Sequence, residues 1–140
     1  MTREPRKSGG DVEALVERLK QAFPEIVAVY LFGSRGTEYE RDESDVDLAV
    51  YAGKPLRAAE LWYAAQDLAS EIGRDVDVVD LAAASTVMRV QIVHTGERRY
   101  CADPVACETF EDYVYSSYAR LNEERQGILE DVLRRGSVYG

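Results

Sequence analysis

Two aspartates, Asp45 and Asp47, stand two positions apart in a run that alternates acidic and aliphatic residues, DVDLAV. Such alternation indicates a β-strand, in which residues two apart project from the same face with their Cα atoms about 6.5 Å apart. Two adjacent carboxylates repel each other unless a cation lies between them. Carboxylates and phosphate oxygens are the hard ligands that magnesium takes in nucleotide enzymes. The pair therefore predicts a Mg2+ site that acts on a phosphate compound.

A third carboxylate belongs to the next alternating run, DVDVVD at positions 75–80. If the two strands are neighbours, Asp77 joins the pair, and three carboxylates can hold two metal ions about 3.5–4 Å apart for phosphoryl transfer. The third acid is also suited to help deprotonate an incoming hydroxyl. Asp75 takes the place of Asp77 if the strand register differs, whereas Asp80 faces the other way and is expected to cap the end of the strand.

Gly33 and Ser34 follow an apolar run and suit the phosphate end of a ligand. A glycine there lets the backbone come close to a phosphate, and backbone N–H groups and the serine hydroxyl can donate hydrogen bonds to it. Arg35 and Arg41 could contact the phosphates or only balance the acidic residues around them. Ser44 could orient the aspartates, or it could be an ordinary loop serine.

These residues need a scaffold, and the rest of the sequence predicts one. The run IVAVYLF at 26–32 is typical of a central strand covered on both faces. Helical spacing predicts a helix that starts at an Asp11 cap and ends before Pro24, and Gly73 ends a second helix. The predicted strands are 26–32, 45–51, 75–80 and 98–102, and the predicted helices are 11–23, 56–72, 85–96 and 104–135.

Size and charge limit the function classes. The chain has 140 residues, 46% of them hydrophobic and 31% charged, which fits one globular domain. We expect a flexible arm at 1–10, a domain at 11–103 and a helical extension of it at 104–140. The formal net charge of −9 argues against direct DNA binding, because domains that grip nucleic-acid phosphates are usually basic.

Cysteine, histidine and hydropathy exclude other classes. Cys101, Cys107 and His94 are too few for a disulfide scaffold and lack the paired spacing of zinc sites. No apolar run approaches the roughly 20 residues of a membrane span, and the N-terminus has no apolar core of a signal peptide. We therefore expect a cytoplasmic protein that does not enter a membrane.

The string Gly33-Ser34, ten further residues, Asp45-Val-Asp47 and then Asp77 resembles the nucleotidyltransferase superfamily that includes DNA polymerase beta and kanamycin nucleotidyltransferase. The small size is similar to its minimal (MNT) branch. The wider strings YLFGSR at 30–35 and SDVDL at 44–48 resemble MntA-type antitoxins, which pair with HEPN-domain toxins. The resemblance covers roughly residues 11–100, and residues 110–118 also look like that subfamily.

The resemblance implies a small α/β (α+β) core with a mixed sheet packed by helices, followed by a long C-terminal helical segment. It also implies a Mg2+-dependent protein adenylyltransferase that moves AMP from ATP to a tyrosine of a cognate HEPN-domain RNase toxin and forms a complex with it. Asp45 and Asp47 would hold the metal and the α-phosphate side, Asp77 would hold a second ion, and Gly33 with Ser34 would bind the remaining phosphates. One departure is that the second glycine of the family's loop is replaced by Glu38, unless Gly36 substitutes for it.

Two other functions stay open at this point. A nucleotidyltransferase could act on a small hydroxylated molecule, and an acidic protein suits a cationic one. The chain could also be a non-catalytic module that blocks a toxin by binding it, although such a module needs no set of acids. Tyrosine and arginine residues in the C-terminal segment suit a protein interface there, and its apolar face could equally serve only to cover the core. We predict that truncation after about Cys107 weakens modification of the partner more than ATP binding.

Overall fold

A computed structural model describes residues 7–33 and 45–134 of the chain. The predicted strands and helices are all present within these residues. The elements in chain order are α1 (Lys7–Ala22), β1 (Ala28–Phe32), β2 (Val46–Tyr51), α2 (Ala58–Ile72), β3 (Val76–Asp80), a 3-10 turn (Leu81–Ala83), α3 (Thr86–Thr95), β4 (Glu97–Cys101) and α4 (Pro104–Arg134).

The four strands form one sheet in the order β3-β2-β1-β4. β1 runs antiparallel to both β2 and β4, whereas β2 and β3 are parallel and are joined by α2. The sheet is therefore mixed, which confirms the predicted fold class. β1 is an interior strand, and this position explains why its sequence is apolar at nearly every residue.

The sheet has a hydrophobic core on each face. Val46, Leu48 and Val50 of β2 are fully buried on the face covered by α1 and α2. Ala28 and Tyr30 of β1 are buried on the opposite face, which α3 and α4 cover. The alternation along β2 therefore sends its aliphatic residues into one core and Asp47 to the other face, as the sequence predicts.

Two ends of helices show how well local signals predict boundaries. α2 ends at Gly73, which has φ of +71° and donates its N–H to the Ala69 carbonyl, as expected of a glycine cap. α1 begins at Lys7, ahead of the predicted cap at Asp11, and thus includes two glycines. Glycine is a weak helix former, but burial of an apolar helix face stabilises most protein helices more than propensity does.

α4 is longer than the core that it covers. It has 31 residues and is about 46 Å long at 1.5 Å per residue. Among the side chains of α4 that the structure describes, the buried ones, Cys107, Phe110 and Val114, lie in the first half, while Ile128 is 65% exposed. The second half therefore extends beyond the sheet. None of the helices in the described part of the chain is long and apolar enough to cross a membrane.

Candidate active site

Asp47 and Asp77 are neighbours across the two parallel strands. The register pairs them directly, and the flanking pairs are Val46 with Val76 and Leu48 with Val78. Adjacent strands are about 4.8 Å apart, so both aspartates project from the same face of the sheet side by side. Asp47 is half-buried and Asp77 is exposed. The structure thus brings together the acids of two runs that are 30 positions apart, as the sequence predicts for neighbouring strands.

Gly33 lies directly beneath the carboxylate of Asp47. The register of β1 and β2 pairs Phe32 with Asp47, so the next residue, Gly33, lies close to the Asp47 side chain. Gly33 has φ of +88°, and a Cβ there would overlap Asp47 Oδ2 and lie 3.0 Å from Asp47 Cγ. Glycine is therefore required by the backbone conformation and by the closeness of the acid. The sequence assigned Gly33 to a phosphate and did not predict this contact.

Asp45 occupies a more open position than Asp47. It precedes β2 and is exposed, and it borders an open depression of about 440 Å3 together with Arg74 and Asp75. The N–H of Val46 donates to the Asp75 carbonyl at 2.9 Å, so the chain segments that carry Asp45 and Asp75 run side by side. Asp75 therefore lies near Asp45, whereas Asp77 is the acid in register with Asp47.

The carboxylates fit the way in which magnesium binds to nucleotide enzymes. Among the residues that the structure describes, no three Asp, Glu, His or Cys side chains are close enough to hold one metal ion. Magnesium seldom uses a cage made wholly of protein, and it typically takes one or two carboxylates and completes its shell with water and substrate phosphates. The adjacent carboxylates of Asp47 and Asp77, the first packed against Gly33, fit that mode of binding.

Part of the predicted site lies outside the described residues. This holds for the predicted phosphate ligand Ser34, for Arg35 and Arg41, and for Ser44. The Gly36 and Glu38 positions of the unusual loop lie there as well. The predicted roles of these residues stay predictions.

A partly buried polar contact supports the strand that leads to the site. The Tyr30 hydroxyl donates a hydrogen bond to Glu111 Oε2 at 2.6 Å, and Arg98 Nη1 contacts the same oxygen at 3.0 Å. Burial, and then the bond to Glu111, raise the pKa of Tyr30. The contact fixes α4 to β1 and β4. Sequence reasoning missed Glu111, because nothing in its spacing distinguishes it from other acids on a helix surface.

Single residues at the ends of elements behave largely as the sequence predicts. Asp80 accepts hydrogen bonds from the backbone N–H groups of Leu56 at 2.7 Å and Ala82 at 3.1 Å, which confirms its capping role. Ser85 caps α3 through the N–H of Met88.

Trp62 and Tyr63 of α2 are exposed, and their rings pack edge to face.

The mixed sheet, with Asp47 and Asp77 side by side, agrees with the nucleotidyltransferase fold that the sequence resembles. The family model for polymerase beta nucleotidyltransferases matches residues 13–105, and the chain belongs to that family. It is 37% identical over 119 residues to the protein adenylyltransferase MntA of Shewanella oneidensis, and the match covers 85% of each protein. These findings confirm the resemblance that the sequence motifs carry.

Two solved structures extend the comparison. A toxin–antitoxin structure with AMP-PNP matches 86% of this chain and 97% of that chain, with 36% identity and a TM-score of 0.75. A complex of tri-AMPylated Shewanella oneidensis HEPN toxin with its MNT antitoxin matches 88% of this chain and 96% of that chain, with 36% identity and a TM-score of 0.73. Coverage of 86–88% of this chain means that the similarity includes at least part of α4 as well as the sheet.

Proposed function

We propose that this protein is a protein adenylyltransferase antitoxin, which transfers AMP from ATP to a tyrosine of a cognate HEPN-type RNase toxin and thereby silences it. The observation that carries the proposal is the pairing of Asp47 with Asp77 above Gly33 in a nucleotidyltransferase fold. The similarity to an adenylyltransferase and to a complex with an AMPylated toxin supports protein as the acceptor.

The reaction assigns a role to each residue. The acceptor hydroxyl attacks the α-phosphorus of ATP, the new P–O bond forms, and the bond from that phosphorus to the bridging oxygen breaks so that pyrophosphate leaves. Asp77 accepts the proton of the hydroxyl, since it is exposed and adjacent to Asp47. Gly33 and Ser34 bind the β- and γ-phosphates through backbone N–H groups and the serine hydroxyl.

Asp45 and Asp47 would hold one Mg2+ ion and Asp77 would bind a second, each completed by phosphate oxygens of ATP, so that no single ion needs three protein carboxylates. When bound, the metal neutralises charge on the phosphates and on the leaving pyrophosphate. The protein's own contribution is to keep the carboxylates of Asp47 and Asp77 on one side of the sheet. The rigid pairing of β2 with β3 does this, because Val46, Leu48 and Val76 on the reverse side are anchored in the core.

The central experiment uses the double variant Asp45→Asn with Asp47→Asn. We expect no transfer of label from α-labelled ATP to the co-purified toxin, and no AMP on its tyrosine by mass spectrometry. A matched control removes two exposed charges elsewhere, with Glu13→Gln and Asp67→Asn, and should transfer AMP at the wild-type rate. Transfer by the double variant at the wild-type rate would refute the assignment, and neutralisation without any transfer would favour a non-catalytic binding module.

A further inference from the structure

β3 lies at the edge of the sheet, and within the described residues its only strand partner is β2. The N–H of Val46 donates to the Asp75 carbonyl. In a parallel pair every second residue of a strand bonds to its neighbour, so Asp75, Asp77 and Val79 direct their backbone groups towards β2. The N–H and C=O groups of Val76 and Val78 therefore face outward. A row of unpaired backbone N–H and C=O groups at a sheet edge is a template for the addition of another strand.

An apolar cavity of about 320 Å3 lies beside this edge, between β3 and α2. Leu61, Trp62 and Ala65 contribute the α2 wall, and β3 contributes Val76 and Val78, with Asp77 and Asp80 also on the lining. Trp62 is 57% exposed although it borders the cavity. The edge thus combines unpaired backbone groups with a place for apolar side chains.

The register decides where the side chains of an added strand would point. A residue opposite Asp77 projects to the same side as Asp77 and Asp47, because side chains in one row of a sheet share a face. Its two neighbours in sequence, opposite Val76 and Val78, project to the other side, where α2 and the cavity lie. One extended segment could therefore present one side chain to the acids and hold the flanking ones in the cavity.

We propose that the outer edge of β3 binds an extended segment of the partner protein as a fifth strand, and that this segment carries the acceptor hydroxyl opposite Asp77. The inference rests on the proposed function and adds the site at which the acceptor is held. Backbone pairing supplies affinity, and the cavity selects apolar residues on either side of the acceptor. Asp75, Asp77 and Asp80 make the edge acidic, so the segment is expected to carry basic residues beyond them.

The first test removes one outward donor. Val78→Pro lacks the N–H that faces away from β2, and proline is tolerated at edge positions of this kind. Val78→Ala is the matched control, since it loses the side chain but keeps the donor. We expect Val78→Pro to raise both the KM for the co-expressed toxin and the Kd of the complex by about tenfold relative to Val78→Ala, with binding of AMP-PNP unchanged.

The second test concerns the cavity and does not depend on the fold of a proline variant. Trp62→Ala opens the cavity wall, whereas Tyr63→Ala removes the adjacent exposed ring, which does not border the cavity. We expect the toxin Kd to rise for Trp62→Ala and to stay at the wild-type value for Tyr63→Ala. Equal effects of the two substitutions would overturn the cavity as a binding element.

Amide hydrogen exchange of the complex gives the most direct readout. The N–H groups of Val76 and Val78 should gain protection when the toxin binds, while those of Asp77 and Val79 should change little because they are already paired. Unchanged exchange at Val76 and Val78 in a complex that transfers AMP would overturn the added strand and leave the proposed function intact. A wild-type complex that transfers no AMP would instead refute the proposed function, and its exchange pattern would still decide the added strand.

Discussion

The carboxylate of Asp47 lies against the backbone of Gly33, so the end of the central strand and the acid of its neighbour form one contact. Two requirements coincide at this glycine. The backbone has a positive φ, which L side chains rarely adopt, and the space that a Cβ would need is filled by the acid. A substitution here therefore changes the position of a proposed catalytic side chain as well as the stability of the fold.

Gly33→Ala is expected to lose AMP transfer and about 1–2 kcal/mol of stability from the backbone strain. Gly53→Ala is the matched control, because Gly53 also has a positive φ of +81° but has nothing within 4 Å of the position that a Cβ would take. Urea denaturation should show a similar loss of stability for both variants, while transfer from labelled ATP should fall only for Gly33→Ala. Equal transfer by the two variants would show that the contact with Asp47 has no catalytic consequence.

Asp77→Asn is expected to lower the rate of AMP transfer by about 10²–10⁴-fold, the usual contribution of a general base. Asp75→Asn tests the alternative register and should keep most of the activity, because Asp77 and not Asp75 is paired with Asp47. Single-turnover transfer to the toxin measures the chemical step, and titration with AMP-PNP measures nucleotide binding separately. A larger loss for Asp75→Asn than for Asp77→Asn would reverse the assignment.

Tyr30→Phe should destabilise the fold by about 1–2 kcal/mol at neutral pH, since it removes a buried hydrogen bond to Glu111. The effect should also depend on pH. The pKa of Tyr30 is raised in the folded protein, so above about pH 10 the unfolded chain loses a proton that the folded chain keeps. Wild-type stability therefore falls as the pH rises above that value, and the variant should fall less steeply.

Urea denaturation at pH 7, 9 and about 10.5 measures this difference. Tyr113→Phe serves as a control, because Tyr113 is 57% exposed on α4. Its stability should follow the wild-type curve at every pH. Parallel wild-type and Tyr30→Phe curves above pH 10 would contradict the role assigned to the buried hydroxyl.

Truncation of α4 tests its second half as a partner surface. Cutting after Cys107, the position suggested by the sequence, would remove the buried Phe110 and Val114 and thus part of the core. A stop after Ala119 keeps them and also keeps Tyr118, which packs against the same core. We expect this shortened chain to remain folded, to bind AMP-PNP normally and to modify the toxin several-fold more slowly. An undiminished rate in a chain with a native circular dichroism spectrum would mean that the second half of α4 does not hold the partner.

The sequence predicts which face of a strand each side chain occupies better than it predicts which strands pair with each other. The alternation around Asp47 fixes which side chains enter the core, because burial requires a period of two. It does not say that β1 runs antiparallel to β2, nor that Phe32 faces Asp47. Pairing depends on residues far apart in the chain, and the periodicity of one segment carries no information about it.

For the candidate site as well, the sequence indicates which residues take part but not how they are arranged in space. Residue type and spacing were enough to select Asp45, Asp47, Asp77 and Gly33 as candidates. The different exposure of Asp45 and Asp47, and the fit of Gly33 under a carboxylate, follow from the register of three strands. The early start of α1 could not be predicted from the sequence, because its first turn includes two glycines, which are weak helix formers.

The contact between Gly33 and Asp47 joins residues 14 positions apart, and the pairing of Asp47 with Asp77 joins residues 30 apart across a whole crossover helix. No short segment of the chain contains the site, and its parts meet only when three strands have found their register. Contacts of high sequence separation form late and at an entropic cost. Catalytic competence should therefore arise with the cooperative folding transition, and a partly folded chain would hold acids and glycine without an active centre.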